Sequence, residues 1–282
     1  MGYMELTPHV MALIDLALAE DLGGGDITTQ ATIPEETWAV AAVRAKEALI
    51  LAGLPVFTAV FDRLGGQVTF EEEKRDGETV GAGDLITRVS GPAHALLSGE
   101  RTALNFLMRL SGIATLTARC VEEVSGTNAA IVDTRKTTPG WRALEKYAVR
   151  IGGGRNHRFS LSDGVLIKDN HITAAGSINN AVARARLRAP HTARIEVEVK
   201  NSAEITEALA AHADILLLDN MTPGQAAAAV AQISGRALTE ASGNMRPETI
   251  GDYARAGVDF ISMGYLTHSA RSVDINMKIE TP

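Results

Sequence analysis

Residues 215–242, ILLLDNMTPGQAAAAVAQISGRALTEAS, contain one repeat of the pattern that decides the fold. An apolar run ends at Asp219, a helical segment with a proline near its start follows, and a second run ends at Ser242. The two run ends are 23 residues apart, which suits one strand, one helix and two short loops. The stretch therefore predicts a β–α–β unit.

The same pattern recurs through the second half of the chain, with intervals of 21, 23 and 22 residues between the last run ends. The runs are AAIVD to Asp133, GVLIK to Lys168, IEVEV around Glu198, ILLLD to Asp219, RALTEAS to Ser242 and FISMG to Gly264. Near-continuous apolar strands that alternate with helices indicate a parallel sheet covered by helices. Six units favour an open (partial) α/β barrel of parallel strands, in which the chemistry lies at the carboxyl ends of the strands.

The first 110 residues follow a different pattern and predict a mixed α and β domain. Thr7 and Pro8 begin a helix, and short strand-like runs follow at 39–45, 48–51, 67–72 and 85–89. A helix is predicted over 55–64, and a long helical pattern begins near His94.

Composition excludes several classes of protein. The 282 residues are enough for about two domains. Aromatic residues make up 4% and the net charge is −7, so neither nucleic acid nor an anionic membrane is an expected partner. The single Cys120 excludes an internal disulfide and a cysteine-clustered metal site. The sequence shows no membrane-spanning run and no secretory signal, which predicts a cytoplasmic protein.

Residues 133–171 carry eight Lys or Arg and four acids, so this window is +4 and the remainder is −11. A cationic segment in an acidic protein indicates a small anionic ligand that is held locally. Arg142, Lys146 and Arg150 are four residues apart, which predicts one solvated helix face. The other cations, Arg135, Lys136, Arg158 and Lys168, do not fit that face.

The carboxylates of residues 194–219 predict a polar barrel interior. In RIEVEVK (194–200) the charged side chains alternate with apolar ones, which directs Glu196 and Glu198 into the barrel. Glu196 is equally well explained by an ion pair with Lys200 or Lys168. Glu198 and Asp219 form an acidic edge that suits Mg²⁺ or sugar hydroxyls, although Asp219 could instead cap the next turn.

Cationic and small residues at the strand ends predict anion binding. Arg forms a planar fork for carboxylate or phosphate, and Lys acts as a point charge. Small residues at Ser242, Gly243 and Gly264 expose backbone N–H groups to a phosphate, and His268 is either a phosphate partner or a cap. The predicted ligand has anionic groups at both ends and hydroxyls with Mg²⁺ between them.

The stretch DTRKTTPGWRALEKYAVRIGGGRNHRFSLSDGVLIKDNH (133–171) resembles the quinolinate phosphoribosyltransferase family. Supporting motifs are EDLGGGDITT (20–29), GERTALNFLMRLSGIAT (99–115), IEVEV (195–199), LLLDN (216–220), EASGN (240–244) and GYLTHS (264–269). The resemblance implies an N-terminal α/β sandwich over 1–110, a barrel over 111–269 and a tail over 270–282 that can return to the N-terminal domain. It also implies a homodimer, or a higher homo-oligomer, in which one subunit's N-terminal domain covers the partner's barrel.

The resemblance implies a role for each matching residue. Arg101 of the partner subunit, Thr134, Arg135, His157, Arg158 and Lys168 would line the quinolinate pocket, while Lys136 and Lys168 would face phosphoribosyl pyrophosphate. Glu198 and Asp219 would serve the ribose and Mg²⁺, and phosphate would lie on Ser242, Gly243, Gly264 and His268. Lys136, Lys168, Glu198 and Asp219 would carry the catalysis.

The implied reaction transfers phosphoribose to quinolinate with loss of CO₂, which gives nicotinate mononucleotide and pyrophosphate for NAD biosynthesis. A molybdenum-transport-type phosphoribosyltransferase with another acceptor is the nearest alternative. A barrel aldolase that uses Lys168 as a Schiff-base amine belongs to a different class. A nucleic-acid-binding module would use the cationic segment 133–171, but the acidic remainder of the chain argues against it.

Overall fold

A computed structural model describes residues 4–65 and 67–280 of the chain. The chain forms two compact units. The first comprises Met1–Ala118, Thr138–Gly153 and Ser269–Pro282, and the second comprises Arg119–Thr137 and Gly154–His268. The predicted spans 1–110 and 270–282 include residues 1–3, 66, 281 and 282, which lie outside the described residues.

The helices of the described residues alternate with strands through most of the chain. The helices are α1 (Pro8–Leu22), α2 (Ile27–Thr32), α3 (Leu54–Arg63), α4 (Ala93–Glu123), α5 (Arg142–Ile151), α6 (Asp169–Ala175), α7 (Ile178–Arg188), α8 (Ser202–Ala210), α9 (Pro223–Ile233), α10 (Ile250–Arg255) and α11 (Tyr265–His268). The strands are β1 (Trp38–Ala45), β2 (Leu49–Ile50), β3 (Thr69–Glu72), β4 (Thr79–Val80), β5 (Leu85–Pro92), β6 (Ala130–Val132), β7 (Val165–Ile167), β8 (Ile195–Val199), β9 (Ile215–Asp219), β10 (Leu238–Ser242), β11 (Phe260–Ser262) and β12 (Ile275–Ile279).

The first unit is built on an antiparallel sheet with the strand order β12-β1-β5-β3. The C-terminal strand β12 pairs with β1, with Ala41 opposite Ile279. The aromatic rings of Phe57 and Phe61 on α3 pack edge to face in this unit, with centroids 5.2 Å apart. Both rings are fully buried, so the helix predicted over 55–64 contributes to the core of this unit.

The predicted boundary near residue 110 falls inside α4, which continues without a break to Glu123. Gly112 lies inside α4, at a position where a side chain would overlap the backbone carbonyl of Arg271. The glycine is thus explained by a close approach between two backbones rather than by a turn.

Helix α5 belongs to the first unit, although the sequence placed its residues in the barrel domain. Glu145 on α5 accepts a hydrogen bond from Arg109 at 3.1 Å, and Tyr147 donates one to Asp76 at 2.7 Å. The predicted solvated face is wrong for Lys146, which is 1% exposed, because α5 packs into the unit along this side.

The second unit contains a parallel sheet with the strand order β6-β11-β10-β9-β8-β7. Helices α6 to α10 lie between successive strands in the chain, as expected for repeated β–α units. The sheet begins at β6 and ends at β7, so the barrel is open between these two strands within the described residues. The predicted α/β fold class is confirmed. Within 4–65 and 67–280, every helix is too short or too polar to cross a membrane.

Candidate active site

A cavity of about 470 Å³ lies at the carboxyl ends of the parallel strands of the second unit. Residues at or after the ends of β6, β7, β9, β10 and β11 line it, because the parallel strands end at the same edge of the sheet. The predicted site residues that line it are Thr134, Arg135, Lys136, His157, Arg158, Lys168, Asp219, Ser242, Gly243, Gly264 and His268.

Two predicted site residues are not part of this lining. Glu198 is buried on β8, and one of its carboxylate oxygens lies 3.5 Å from Nζ of Lys168, which does line the cavity. Arg101 lies on α4 in the first unit and is exposed. Its role as a residue supplied by the partner subunit stays a prediction.

One side of the cavity is cationic. The Arg158 guanidinium donates a hydrogen bond to the carbonyl of Gly164 at 3.1 Å, which fixes its position. Burial and the nearby positive charge of Arg135 lower the pKa of Arg158 below its usual range. The two guanidinium groups are therefore close enough to repel each other, and an anion between them would relieve that repulsion.

A buried carboxylate holds the loop that carries His157 and Arg158. Asp133 is fully buried, and its two oxygens accept hydrogen bonds from the His157 backbone N–H at 2.9 Å and from Nδ2 of Asn156 at 2.6 Å. From the sequence, Asp133 is predicted only as the end of a strand. Its position after AAIV, inside the cationic segment, was the available signal for this positioning role.

His157 lies between two buried carboxylates. Its Nδ1 accepts a hydrogen bond from the Arg158 backbone N–H at 2.7 Å, so the ring proton resides on Nε2. Nε2 lies 3.2 Å from Glu196 and 3.7 Å from Glu240. Burial, together with the negative charge of Glu196, raises the pKa of Glu240 to about 7.

The predicted ion pairs of Glu196 with Lys200 or Lys168 are wrong, because Glu196 lies beside His157 instead. Lys200 instead donates to Asp169 at 3.2 Å, and Lys168 faces Glu198. Glu240 was missed because only strand ends were considered as site residues. The alternation in RALTEAS did contain a signal, since period two places Glu240 on the same face as Ser242.

Glycines bring backbone close to the other side of the cavity. Gly243 has φ +109°, and a side chain there would overlap the side-chain oxygen of Asn220. At Gly264, a Cβ would lie 2.8 Å from Cδ of Lys136 and 3.2 Å from the His268 ring. Gly243 thus requires the absence of a side chain, whereas a side chain at Gly264 would have to displace the flexible Lys136 side chain. Glycine at both positions leaves their peptide groups accessible to an anion.

Arg246 adds a cation to this side that the sequence analysis did not select. Its guanidinium lies 4.5 Å from the centroid of the Tyr265 ring, and both residues line the cavity.

Glu198 and Asp219 fit a magnesium ion. Burial and the negative charge of Asp219 raise the pKa of Glu198, which shows that the two carboxylates repel each other. Mg²⁺ prefers a small number of carboxylate oxygens and keeps several waters. A divalent cation would relieve this repulsion more fully than Lys168 does alone.

Comparisons with known proteins identify relatives along nearly the whole chain. Residues 26–111 match the family model "Quinolinate phosphoribosyl transferase, N-terminal domain", and residues 113–278 match the corresponding C-terminal domain. A probable nicotinate-nucleotide pyrophosphorylase [carboxylating] of Bacillus subtilis is 44% identical over 95% of this chain and 92% of its own length. The nicotinate-nucleotide pyrophosphorylase [carboxylating] of Mycobacterium leprae is 43% identical over 93% of this chain and 94% of its own. The crystal structure of NadC from Streptococcus pyogenes has a TM-score of 0.94 and 45% identity, and the match covers 98% of both chains.

Proposed function

Because this chain belongs to the quinolinate phosphoribosyl transferase family, we propose that the cavity at the carboxyl ends of β6 to β11 is its active site. The chain is a pentosyltransferase that converts quinolinate and phosphoribosyl pyrophosphate to nicotinate mononucleotide, pyrophosphate and CO₂. One observation carries the assignment of the site: the cavity has cationic side chains on one side and exposed glycine backbone on the other.

The cationic side binds quinolinate in this proposal. Arg135, Arg158 and Lys168 offer two planar forks and one point charge to a ring with two adjacent carboxylates. Thr134 and His157 line the same region. The carboxylates of quinolinate would neutralise the repulsion that lowers the pKa of Arg158.

The opposite side binds phosphoribosyl pyrophosphate. The backbones of Ser242, Gly243 and Gly264 and the side chain of His268 face the phosphate groups, and Lys136 lies beside Gly264. Glu198 and Asp219, on the neighbouring strands β8 and β9, would hold the ribose hydroxyls and Mg²⁺ in this proposal. When bound, Mg²⁺ supplies positive charge to the departing pyrophosphate.

The reaction then needs orientation and charge stabilisation rather than a protein nucleophile. The pyridine nitrogen of quinolinate attacks the anomeric carbon as pyrophosphate departs, through a transition state with oxocarbenium character. The Glu198 and Asp219 carboxylates stabilise the positive ribose, and the ammonium groups of Lys136 and Lys168 stabilise the negative leaving group.

We also infer that the enzyme acts as a homodimer or a higher homo-oligomer in which Arg101 reaches the partner's cavity. Arg101 is exposed on α4, and the family resemblance carries it into the quinolinate pocket of the partner subunit. A cytoplasmic location, where phosphoribosyl pyrophosphate is available, completes the proposal.

The direct test is incubation of the protein with quinolinate, phosphoribosyl pyrophosphate and Mg²⁺. We expect equal amounts of CO₂, pyrophosphate and nicotinate mononucleotide. Nicotinate, which lacks the second carboxylate, serves as the control acceptor and should react poorly. Activity with another acceptor and none with quinolinate would contradict the assignment.

A further inference from the structure

Glu240 occupies a position that the proposed roles do not use. It lies in the middle of β10, opposite Leu217 of β9 and Phe260 of β11, and it is 4% exposed. Its Oε1 is buried and has no hydrogen-bond partner. An unpartnered buried carboxylate oxygen is costly, so its presence calls for a function.

A second cavity reaches Glu240 from the other end of the barrel. This cavity, of about 420 Å³, is lined by Val165, Ile215 and Phe260, which are the first residues of their strands. It also shares Glu240, His157 and Arg158 with the active-site cavity. The cluster of His157, Glu196 and Glu240 therefore separates the substrate cavity from a second opening at the amino ends of the strands.

The charges around the cluster favour a proton there over a metal ion. Single ligand atoms of His157, Glu196 and Glu240 lie within 4.8 Å of one another, a spacing that could hold a cation. The positive charge of Lys168, however, already acts on Glu240, and that of Arg158 acts on Glu196. These two charges would repel a divalent cation bound to the cluster. A proton on Glu240 neutralises one of the two carboxylates, Glu196 and Glu240, that repel each other, and no bound metal ion is then needed.

His157 is not the source of a mobile proton. Its Nδ1 is occupied by the Arg158 backbone N–H, and its Nε2 proton points to Glu196 at 3.2 Å. A second proton on the ring would break the bond to Arg158. Glu196 also has a buried Oε1 without a hydrogen-bond partner, but it lies closer to Nε2 of His157 and does not line the active-site cavity. Glu240 lines both cavities and is thus the carboxyl group of the cluster that is placed to give a proton on one side and regain it on the other.

We propose that Glu240 is the proton donor for the decarboxylation step, a role that rests on the proposed function of the cavity. After phosphoribosyl transfer, the bond between the ring carbon next to the nitrogen and its carboxylate breaks. The electron pair stays on the carbon, and CO₂ leaves. The Glu240 carboxylic acid gives its proton to this carbon and becomes a carboxylate, which regains a proton from bulk solvent by way of the second cavity.

The near-neutral titration of Glu240 supports this role, since a general acid works best when its pKa is close to the working pH. The groups that face it are Glu196 of β8, His157, Lys168 at the end of β7 and the Ser262 hydroxyl of β11. As the pH rises above about 7, Glu240 loses its proton. The CO₂ step should then slow relative to the pyrophosphate step.

The test compares the two steps in single turnovers with enzyme in excess. In Glu240→Gln, we expect pyrophosphate release at a rate within a few-fold of that of the unmodified enzyme, and CO₂ release slower by at least about tenfold. The dicarboxylated mononucleotide should accumulate. Glu240→Asp, which retains an acid, should recover part of the CO₂ rate, and the exposed Glu122→Gln should change neither rate.

Parallel loss of pyrophosphate and CO₂ release in Glu240→Gln, or no loss of either, would overturn the proposal. If that variant does not fold, the rates of CO₂ and pyrophosphate release are measured in the unmodified enzyme from pH 6 to 8.5. A ratio of the two rates that stays constant over this range rejects Glu240 as the donor. Absence of pyrophosphate release from the unmodified enzyme would instead count against the proposed function.

Discussion

The ammonium nitrogen of Lys168 lies 3.5 Å from a carboxylate oxygen of Glu198. The Lys168 side chain is half exposed in the cavity, whereas Glu198 is buried behind it. Asp219, at the end of the neighbouring strand, is close enough to raise the pKa of Glu198. A change at Glu198 should therefore affect both a substrate-facing cation and the carboxylate pair.

Glu198→Gln tests the magnesium site. The substitution keeps the shape of the side chain and removes one of the two anionic groups that would hold the ion. We expect the Mg²⁺ concentration for half-maximal activity to rise at least about tenfold. Magnesium titrations of the variant, the unmodified enzyme and Glu122→Gln measure this, and an unchanged titration would remove Glu198 from the site.

Arg135→Ala tests the quinolinate side of the cavity. Loss of a charged partner of a bound carboxylate costs about 2–5 kcal/mol, so kcat/KM for quinolinate should fall at least about 30-fold. Thermal unfolding should be unaffected, because Arg135 lines the cavity. The exposed Arg188→Ala is the matched control, and near-normal turnover of Arg135→Ala would reject the carboxylate clamp.

Mixed oligomers test whether Arg101 acts in the partner's site. Arg101→Ala and Arg135→Ala should each be inactive alone. When the two variants are co-expressed, half of the randomly formed dimers contain one subunit of each. In such a dimer, the cavity of the Arg101→Ala subunit has its own Arg135 and receives an intact Arg101 from its partner, so one of the two sites is complete. The mixture should therefore have about one quarter of full activity. If Arg101 serves its own subunit, the mixture will be no more active than its components.

Gly243→Ala tests the glycine backbone beside the predicted phosphate groups. With φ +109° and a Cβ that overlaps Asn220, alanine should cost about 1–3 kcal/mol of stability and raise KM for phosphoribosyl pyrophosphate. Gly224→Ala on α9 is the control, since its Cβ would meet nothing within 4 Å. Equal stability and KM in both variants would contradict the predicted role.

Acid unfolding tests the attachment of the C-terminal strand. Glu47 accepts hydrogen bonds from Arg271 and from the Asp274 backbone, which lower its pKa from 4.5 to about 2. Because the pKa of Glu47 is lower in the folded state than in the unfolded chain, these hydrogen bonds stabilise the fold fully at pH values above 4.5. The stabilisation is lost as the pH falls toward 2. The difference in unfolding free energy between the unmodified protein and Glu47→Gln should shrink over that range. If that difference in unfolding free energy does not change with pH, the charge of Glu47 does not stabilise the attachment of β12.

The parallel sheet was predictable because each strand leaves a periodic signal. The runs that end at Asp219 and Ser242 lie in register on neighbouring strands, as their spacing implied. The extent of the two compact units was not predictable, because α4 continues across residue 110 and the first unit takes in α5 and β12 through long-range contacts such as that of Gly112 with Arg271.

The pairing inside the barrel was less predictable than its polarity. Alternation in IEVEV predicted that Glu196 and Glu198 point into the barrel, and both side chains are buried. Whether Glu196 meets a lysine or His157 depends on the path of the segment between α5 and β7, and Asp133 fixes that path through hydrogen bonds to residues 23 and 24 positions further along the chain. Long-range contacts of this kind carry no local pattern.

The pairing of β12 with β1 affects the order in which the two units of the nascent chain can fold. During synthesis, α1 to α4 and β1 to β5 leave the ribosome long before residues 275–279. Until then, one edge of β1 has unsatisfied backbone groups and is open to wrong pairing with other chains. The second unit can complete its sheet once β11 has been made, so the unit that is encoded first is the last to complete its own sheet.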